Sequence, residues 1–432
     1  MIAGLTLAWL AAAAPLVADD GPGFDLPPAL AVLRSDHPLV ADDGPGFDLP
    51  RALAVMRSDH PLLEVAAARV DAARAGVTAA RLWDNPVLAA DYFVGVRASS
   101  YDRAGTFVVG VGQWLPVTAT PRLRGAVAGH EAAAVALAGE RLRRALELEV
   151  EAGMLRLAAA LREVEVRRAA LQDLGESRRI VDARVAAGVA PAYDATRMAL
   201  ALADAEALLR AAEAAVSVAR GELAVAVGPR ADELRGAPRI DVFGGPALPS
   251  LAALRDRMLV RPDLAAARAR TQAARAGVRL ARREVFPGLG LRVAAGFGQG
   301  PGQVDVGAGL SIPLPILSRG QGLVDRARAE ARAAERAAAA LVVAAEQRLA
   351  AAYLAAERRR DASQRYTELS HDAADALLRQ AASGYRDGRL GVLELADASL
   401  SVRDMRLRDV ELAVQARLAE LDVRHAVEVG GE

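Results

Sequence analysis

Polar and apolar residues alternate strictly in four short stretches of the chain and recur at helical spacing almost everywhere else. In LGLRVAAGF, Leu289, Leu291, Val293, Ala295 and Phe297 share one face, and Gly290, Arg292, Ala294 and Gly296 share the other. In VDVGAGLSI, Val304, Val306, Ala308, Leu310 and Ile312 oppose Asp305, Gly307, Gly309 and Ser311. Earlier, Leu88, Ala90, Tyr92, Val94 and Val96 oppose Asp91, Gly95 and Arg97, and Phe107, Val109 and Val111 oppose Gly110 and Gly112. A period of two marks strands, because successive side chains point to opposite faces. Length near ten residues and apolar/polar alternation suit transmembrane strands, but a half-buried soluble sheet alternates identically. The strands form two hairpins, turning at SSYDRAG (99–105) and GQGPGQ (298–303). Four strands do not close a barrel, and lipid tolerates no open edge. A membrane reading therefore requires several chains, with Asp91, Arg97, Arg292 and Asp305 facing the barrel lumen.

The helical pattern has its own length arithmetic. One uninterrupted stretch from about Arg122 to Ala187 predicts a helix of roughly 65 residues, near 100 Å at 1.5 Å per residue. Within it Val150, Met154, Leu157, Leu161, Val164 and Leu171 trace a coiled-coil seam. The predicted helices before the strands (about 61–83) and after the following Gly turn (about 192–227) together nearly match the long one. The second half repeats this with 262–284 and 391–427 against 321–384. Two short helices stacked end to end beside each long one give a rod, with strand hairpins at one end and Gly turns at the other.

The match between halves is an internal duplication at an interval of about 200 residues. HPLLEVAAARVDAARAGVTAARLWDNPVL from His60 aligns without a gap on RPDLAAARARTQAARAGVRLARREVFPGL from Arg261. RVAAGVAPAYD answers GYRDGRLGVLE, placing Gly188 over Gly388 and Asp194 over Glu394. The organisation expected is a leader at 1–18, an N-terminal segment at 19–59, repeats at 60–228 and 261–427 joined by a linker at 229–260, and a tail at 428–432. A second, shorter duplication lies inside the N-terminal segment. LVADDGPGFDLPPALAVLRSDHP (16–38) is followed at once by LVADDGPGFDLPRALAVMRSDHP (39–61). Each half has a place for one such element ahead of its first helix, so the second copy is the expected working one.

Composition narrows the function classes. Hydrophobic residues make up 53% of the chain and aromatics 4%, so Ala-rich, thin helical packing is favoured over a thick core. With 54 basic and 54 acidic residues the net charge is zero, no basic stripe occurs, and nucleic acid is an improbable partner. Cysteine is absent, which removes thiolate metal sites and disulfides. The opening MIAGLTLAWLAAAAPLVADD reads as a secretory signal ending near Ala18, with a retained anchor as the alternative. The five histidines form no ligand pair, His60 reads as a helix-boundary residue, and no catalytic constellation stands out. No cofactor is called for.

Together the motifs FDLPRALAVMRSDHPLLEVAAARVDAARAGV, NPVL, QWLP, SIPLPILSRGQG and GYRDGRLGVLELADA, in their doubled order, resemble the TolC-like outer-membrane efflux proteins, especially the heavy-metal cation-efflux branch. The resemblance implies a mainly α, two-repeat fold with four strands per chain. It implies a homotrimer: a twelve-stranded β-barrel in outer-membrane lipid above an α-helical tunnel across the periplasm. The partners implied are a periplasmic adaptor and an inner-membrane pump of the resistance–nodulation–division class, and the function is passive conduction with no catalytic residue. The hairpin turns, here Arg184, Gly188, Asp194, Gly384 and Gly388, would meet adaptor or pump. The periplasmic aperture falls on Tyr385, Arg389, Glu394 and Asp397. Where well-known members carry an Arg, this chain has Leu390, which leaves open how the aperture is latched. A soluble periplasmic coiled-coil or adaptor protein is the rival reading; it would need many short strands around a single hairpin.

Overall fold

The computed structural model describes residues 44–94, 105–286, 288–297, 304–317 and 319–430. The leader, the first copy of the short duplication, Arg97 and the two hairpin turns lie outside the described residues.

Two long helices organise the chain: α3 (Thr120–Ala186) and α7 (Gln321–Arg386), of 67 and 66 residues. Beside α3 run α2 (Pro61–Arg81) and α4 (Ala192–Val227), and beside α7 run α6 (Pro262–Glu284) and α8 (Val392–Glu428). The stacking is end to end in both halves. At the first junction His60, the N-cap of α2, lies against Gly228, which ends α4. At the second, Arg261 precedes α6 and donates to the carbonyl of Ala426 near the end of α8 at 2.6 Å. Pro61 and Pro262 open their helices because proline lacks only an N–H that a first turn leaves unpaired anyway. His60 adds a cap: its Nδ1 accepts from the Leu62 amide at 3.2 Å. Burial lowers the pKa of this imidazole and keeps that nitrogen free to accept.

The two junctions sit beside buried apolar clusters. Short helices cover them, α1 (Leu49–Asp59) in the first half and α5 (Leu251–Met258) in the second. Asp48 caps α1 by accepting from the Arg51 amide, and Ser250 caps α5 by accepting from Ala253. Met56 and Met258, both fully buried, plug the two sites. Met56 joins Phe47, Val150, Met154, Leu157 and Leu223 in one core, and Met258 joins Leu254, Leu349 and Val423 in another. The predicted seam is used: Val150, Met154, Leu157 and Val164 are buried, while Leu161 packs at the margin.

The strands β1 (Val87–Val94), β2 (Gly105–Leu115), β3 (Leu289–Phe297) and β4 (Val304–Ser311) form one antiparallel sheet in the order β1-β2-β3-β4. Register carries the alternation across all of them: Leu88 faces Val111, Val111 faces Val293, and Val293 faces Ala308. That face is apolar from edge to edge, and Tyr92, Val111, Val293, Val306 and Leu310 on it are exposed. The other face combines Asp91, Arg292, Asp305 and Ser311 with Gly110, Gly112, Gly296 and Gly307. Gln113, at the helical end, is the exception on the apolar side. Its amide donates to the carbonyls of Asp84 and Trp114 at 2.8 and 2.9 Å. Among the described residues one helix, α7, also contains an 18-residue window apolar enough to cross a membrane, with mean hydropathy 1.3 and 11% of it buried.

Candidate functional site

The free end of the helical rod is built from two helix-ending turns of the same design. After α3, Gly188 takes φ +72°, and after α7, Gly388 takes φ +73°. These are left-handed conformations that side chains with a Cβ adopt only at a cost. The amides of Val189 and Gly188 reach back to the carbonyls of Arg184 and Val185, both at 3.0 Å. Those of Arg389 and Gly388 reach the carbonyls of Gly384 and Tyr385 at 2.8 and 3.1 Å. This pairing satisfies carbonyls that a helix end would otherwise leave bare. Gly384 has a second reason to lack a side chain: a Cβ there would lie 2.7 Å from the Cδ1 of Leu390. Leu390 therefore packs on its own turn.

Three of the sequence-predicted residues meet here. Tyr385, 2% exposed, lies in an apolar cluster with Leu174, Val181, Met198, Val392 and Leu395, drawn from α3, α4 and α8. The Arg184 guanidinium sits 4.8 Å from the centre of its ring. The same group donates to the Tyr385 carbonyl and, at 3.4 Å, to that of Arg386. The phenol in turn donates to Asp194 Oδ2 at 3.4 Å. Burial, with the Asp194 carboxylate adding to it, raises the pKa of this phenol and keeps it a neutral donor. One residue of the first hairpin thus clasps the end of the second, about 200 positions away in the chain. Beside it lies an open hollow lined by Ile180, Ala183, Val189 and Arg386.

The acidic pair is placed differently. Glu394 and Asp397 are exposed on the first turns of α8, and among the described residues neither makes a side-chain hydrogen bond or ion pair. Glu394 curls over Gly391, its Oε2 being 2.7 Å from where a Cβ there would stand. Arg389 pairs with Asp387 on the turn and touches neither acid. Sequence reasoning placed Arg184 at a turn but missed its reach to Tyr385. The available signal was the mismatch between repeats, Arg184 answering Gly384.

On the polar strand face, Arg292 Nη2 donates to Asp91 Oδ2 at 2.6 Å. Asp305 is exposed opposite Gly296. Among the described residues no group of three or more His, Asp or Glu is placed to hold a metal ion.

Residues 53–229 and 254–427 match the family model described as outer membrane efflux protein. No curated protein matches the chain by sequence. Among solved structures, a membrane protein from Pseudomonas aeruginosa is 20% identical with TM-score 0.75, covering 88% of this chain and 92% of that one. CusC, described in terms of transmembrane channel formation, is 16% identical with TM-score 0.72, covering 89% and 92%. The outer membrane protein VceC of Vibrio cholerae is 21% identical with TM-score 0.71, covering 89% and 96%.

Proposed function

Because the chain belongs to the outer membrane efflux protein family, it is an efflux channel of the outer membrane with its helical part in the periplasm, and we propose that it works as a homotrimer. The observation that carries the trimer is the pair of unsatisfied flanks on one protomer. β1 and β4 are sheet edges, and lipid tolerates neither. The helices run out at the same flanks: α7 packs on α6 and α8, and α2 and α4 pack on α3, while among the described residues α7 has no packed face against α2 or α4. A head-to-tail interface repeated around a threefold axis covers both flanks and closes a twelve-stranded barrel. Migration of the unheated, detergent-solubilised protein as a monomer on a gel would remove this reading; a heat-sensitive trimer band is expected.

Within the trimer a periplasmic adaptor would seat against the hairpin turns at Gly188 and Gly388 and the hollow beside Arg184. A resistance–nodulation–division pump in the inner membrane would deliver the cargo, metal cations or drugs. Nothing in such a conduit requires a catalytic group. The exposed, unpaired Glu394 and Asp397 at the tip would form acidic rings around the threefold axis, which favour cations. Replacing both with Ala is expected to weaken block by a trivalent cation added on the periplasmic side in planar bilayers. An unchanged blocking concentration would remove the acids from the aperture.

A further inference from the structure

The polar face of the sheet contains one ion pair whose position says more than its strength. Asp91 on β1 and Arg292 on β3 occupy equivalent positions in the two repeats, 201 residues apart, and have opposite charge. They are not on neighbouring strands, because β2 lies between them. Asp91 faces Val108 and Arg292 faces Gly112, so the arginine must reach diagonally across the strand over Gly110. Gly110 leaves the floor open: a Cβ there would stand 3.2 Å from Arg292 Nε and 2.8 Å from the Ala294 Cβ. Both side chains are about half exposed, at 48% and 42%, so the pair adds little to stability. What it changes is charge. Besides that pair, the described part of this face carries one charged residue, Asp305, and otherwise uncharged ones, Phe93, Val108 and Trp114 among the glycines.

We propose that Arg292 sets the ionic preference of the barrel by neutralising Asp91, which holds the charge on this face of the barrel near balance. This rests on the reading that the polar face lines the lumen of a trimeric channel. Each protomer then presents one neutral pair at the same height, three around the axis. Removing either partner exposes three fixed charges of one sign to the conducting path. At about 0.1 M salt the screening length is about 10 Å, so the effect is read best in dilute electrolyte.

The test is the reversal potential of the purified trimer in planar bilayers under a KCl gradient. Arg292→Gln should move it toward cation selectivity, Asp91→Asn toward anion selectivity, and the double variant back to the wild-type value. The charge swap Asp91→Arg with Arg292→Asp preserves a pair, and it should also match the wild type even if a single variant assembles poorly. Channels that conduct with the same reversal potential in every variant would overturn the proposal while leaving the channel intact. Absence of conductance from a wild-type trimer would instead remove the reading on which it rests, and the proposal with it.

Discussion

Replacing Asp263 with Ala is expected to cost about 3–5 kcal/mol of stability, the range for stranding one partner of a buried ion pair. Arg261 is 1% exposed, so its guanidinium is a buried cation. Nε and Nη2 donate to the two oxygens of Asp263 at 2.6 and 2.7 Å, and Nη1 donates to the Ala426 carbonyl. The tail closes the site: Gly430, at φ +80°, leaves room where a Cβ would stand 2.3 Å from Asp263 and 2.6 Å from Arg261. Without the carboxylate, the buried cation keeps the Ala426 carbonyl as its described partner. The contrast is Arg326–Glu330 on α7, with exposures of 78% and 58%, where Glu330→Ala should cost far less. Unfolding of a solubilised oligomer is commonly irreversible, so the measurement is the rate of heat inactivation of the two variants beside the wild type. Equal rates for both would show that Arg261 carries no special burden.

That site also shows where the sequence was readable and where it was not. In the sequence His60 reads as a boundary residue ahead of a helix-starting proline, with Arg261 aligned on it, and both stand at end-to-end helix junctions. Nothing local indicated that one would be a neutral cap and the other a buried cation. The difference arises from what each helix end meets: Gly228 for His60, and Asp263 with the Ala426 carbonyl for Arg261. The sheet was more legible. Alternation assigned the residues of β3 and β4 to two faces and those of β1 and β2 less completely. The register keeps the faces continuous across four strands, with Phe93, Val108 and Trp114 on the side of Asp91 and Gln113 on the other. Pattern alone could not show that β2 would lie between Asp91 and Arg292, or that Gly110 would let them meet. Strand order is set by long-range pairing, on which local periodicity has no bearing.

The same limit explains the tip. Glu394, Asp397 and Arg389 were nominated by resemblance, and the missing arginine at Leu390 left the latch without an agent. Leu390 packs on Gly384 instead, within its own turn. The charged contact between hairpins comes from Arg184. It belongs to the other repeat, where a comparison confined to the second-repeat motif would not look.

Arg184→Ala is accordingly expected to raise the time-averaged conductance of the channel by about an order of magnitude, if the tip is its narrowest part. Stacking of a cation on a ring contributes about 0.5–2 kcal/mol, and a hydrogen bond from a charged donor about 1.5–3. Losing even about 1.4 kcal/mol from a closed state shifts its balance with the open state tenfold, and three clasps loosen together in a trimer. The Tyr385→Phe variant keeps the ring, the carbonyls and the guanidinium, and loses only a 3.4 Å hydrogen bond. It should open the channel far less. Arg389→Ala, whose side chain pairs with Asp387 on an exposed turn, should leave conductance unchanged. Single-channel recordings of the three variants separate the possibilities. A rise with Arg389→Ala and none with Arg184→Ala would move the latch back to the position the resemblance favoured. The reverse order places it in the pairing of Arg184 with Tyr385.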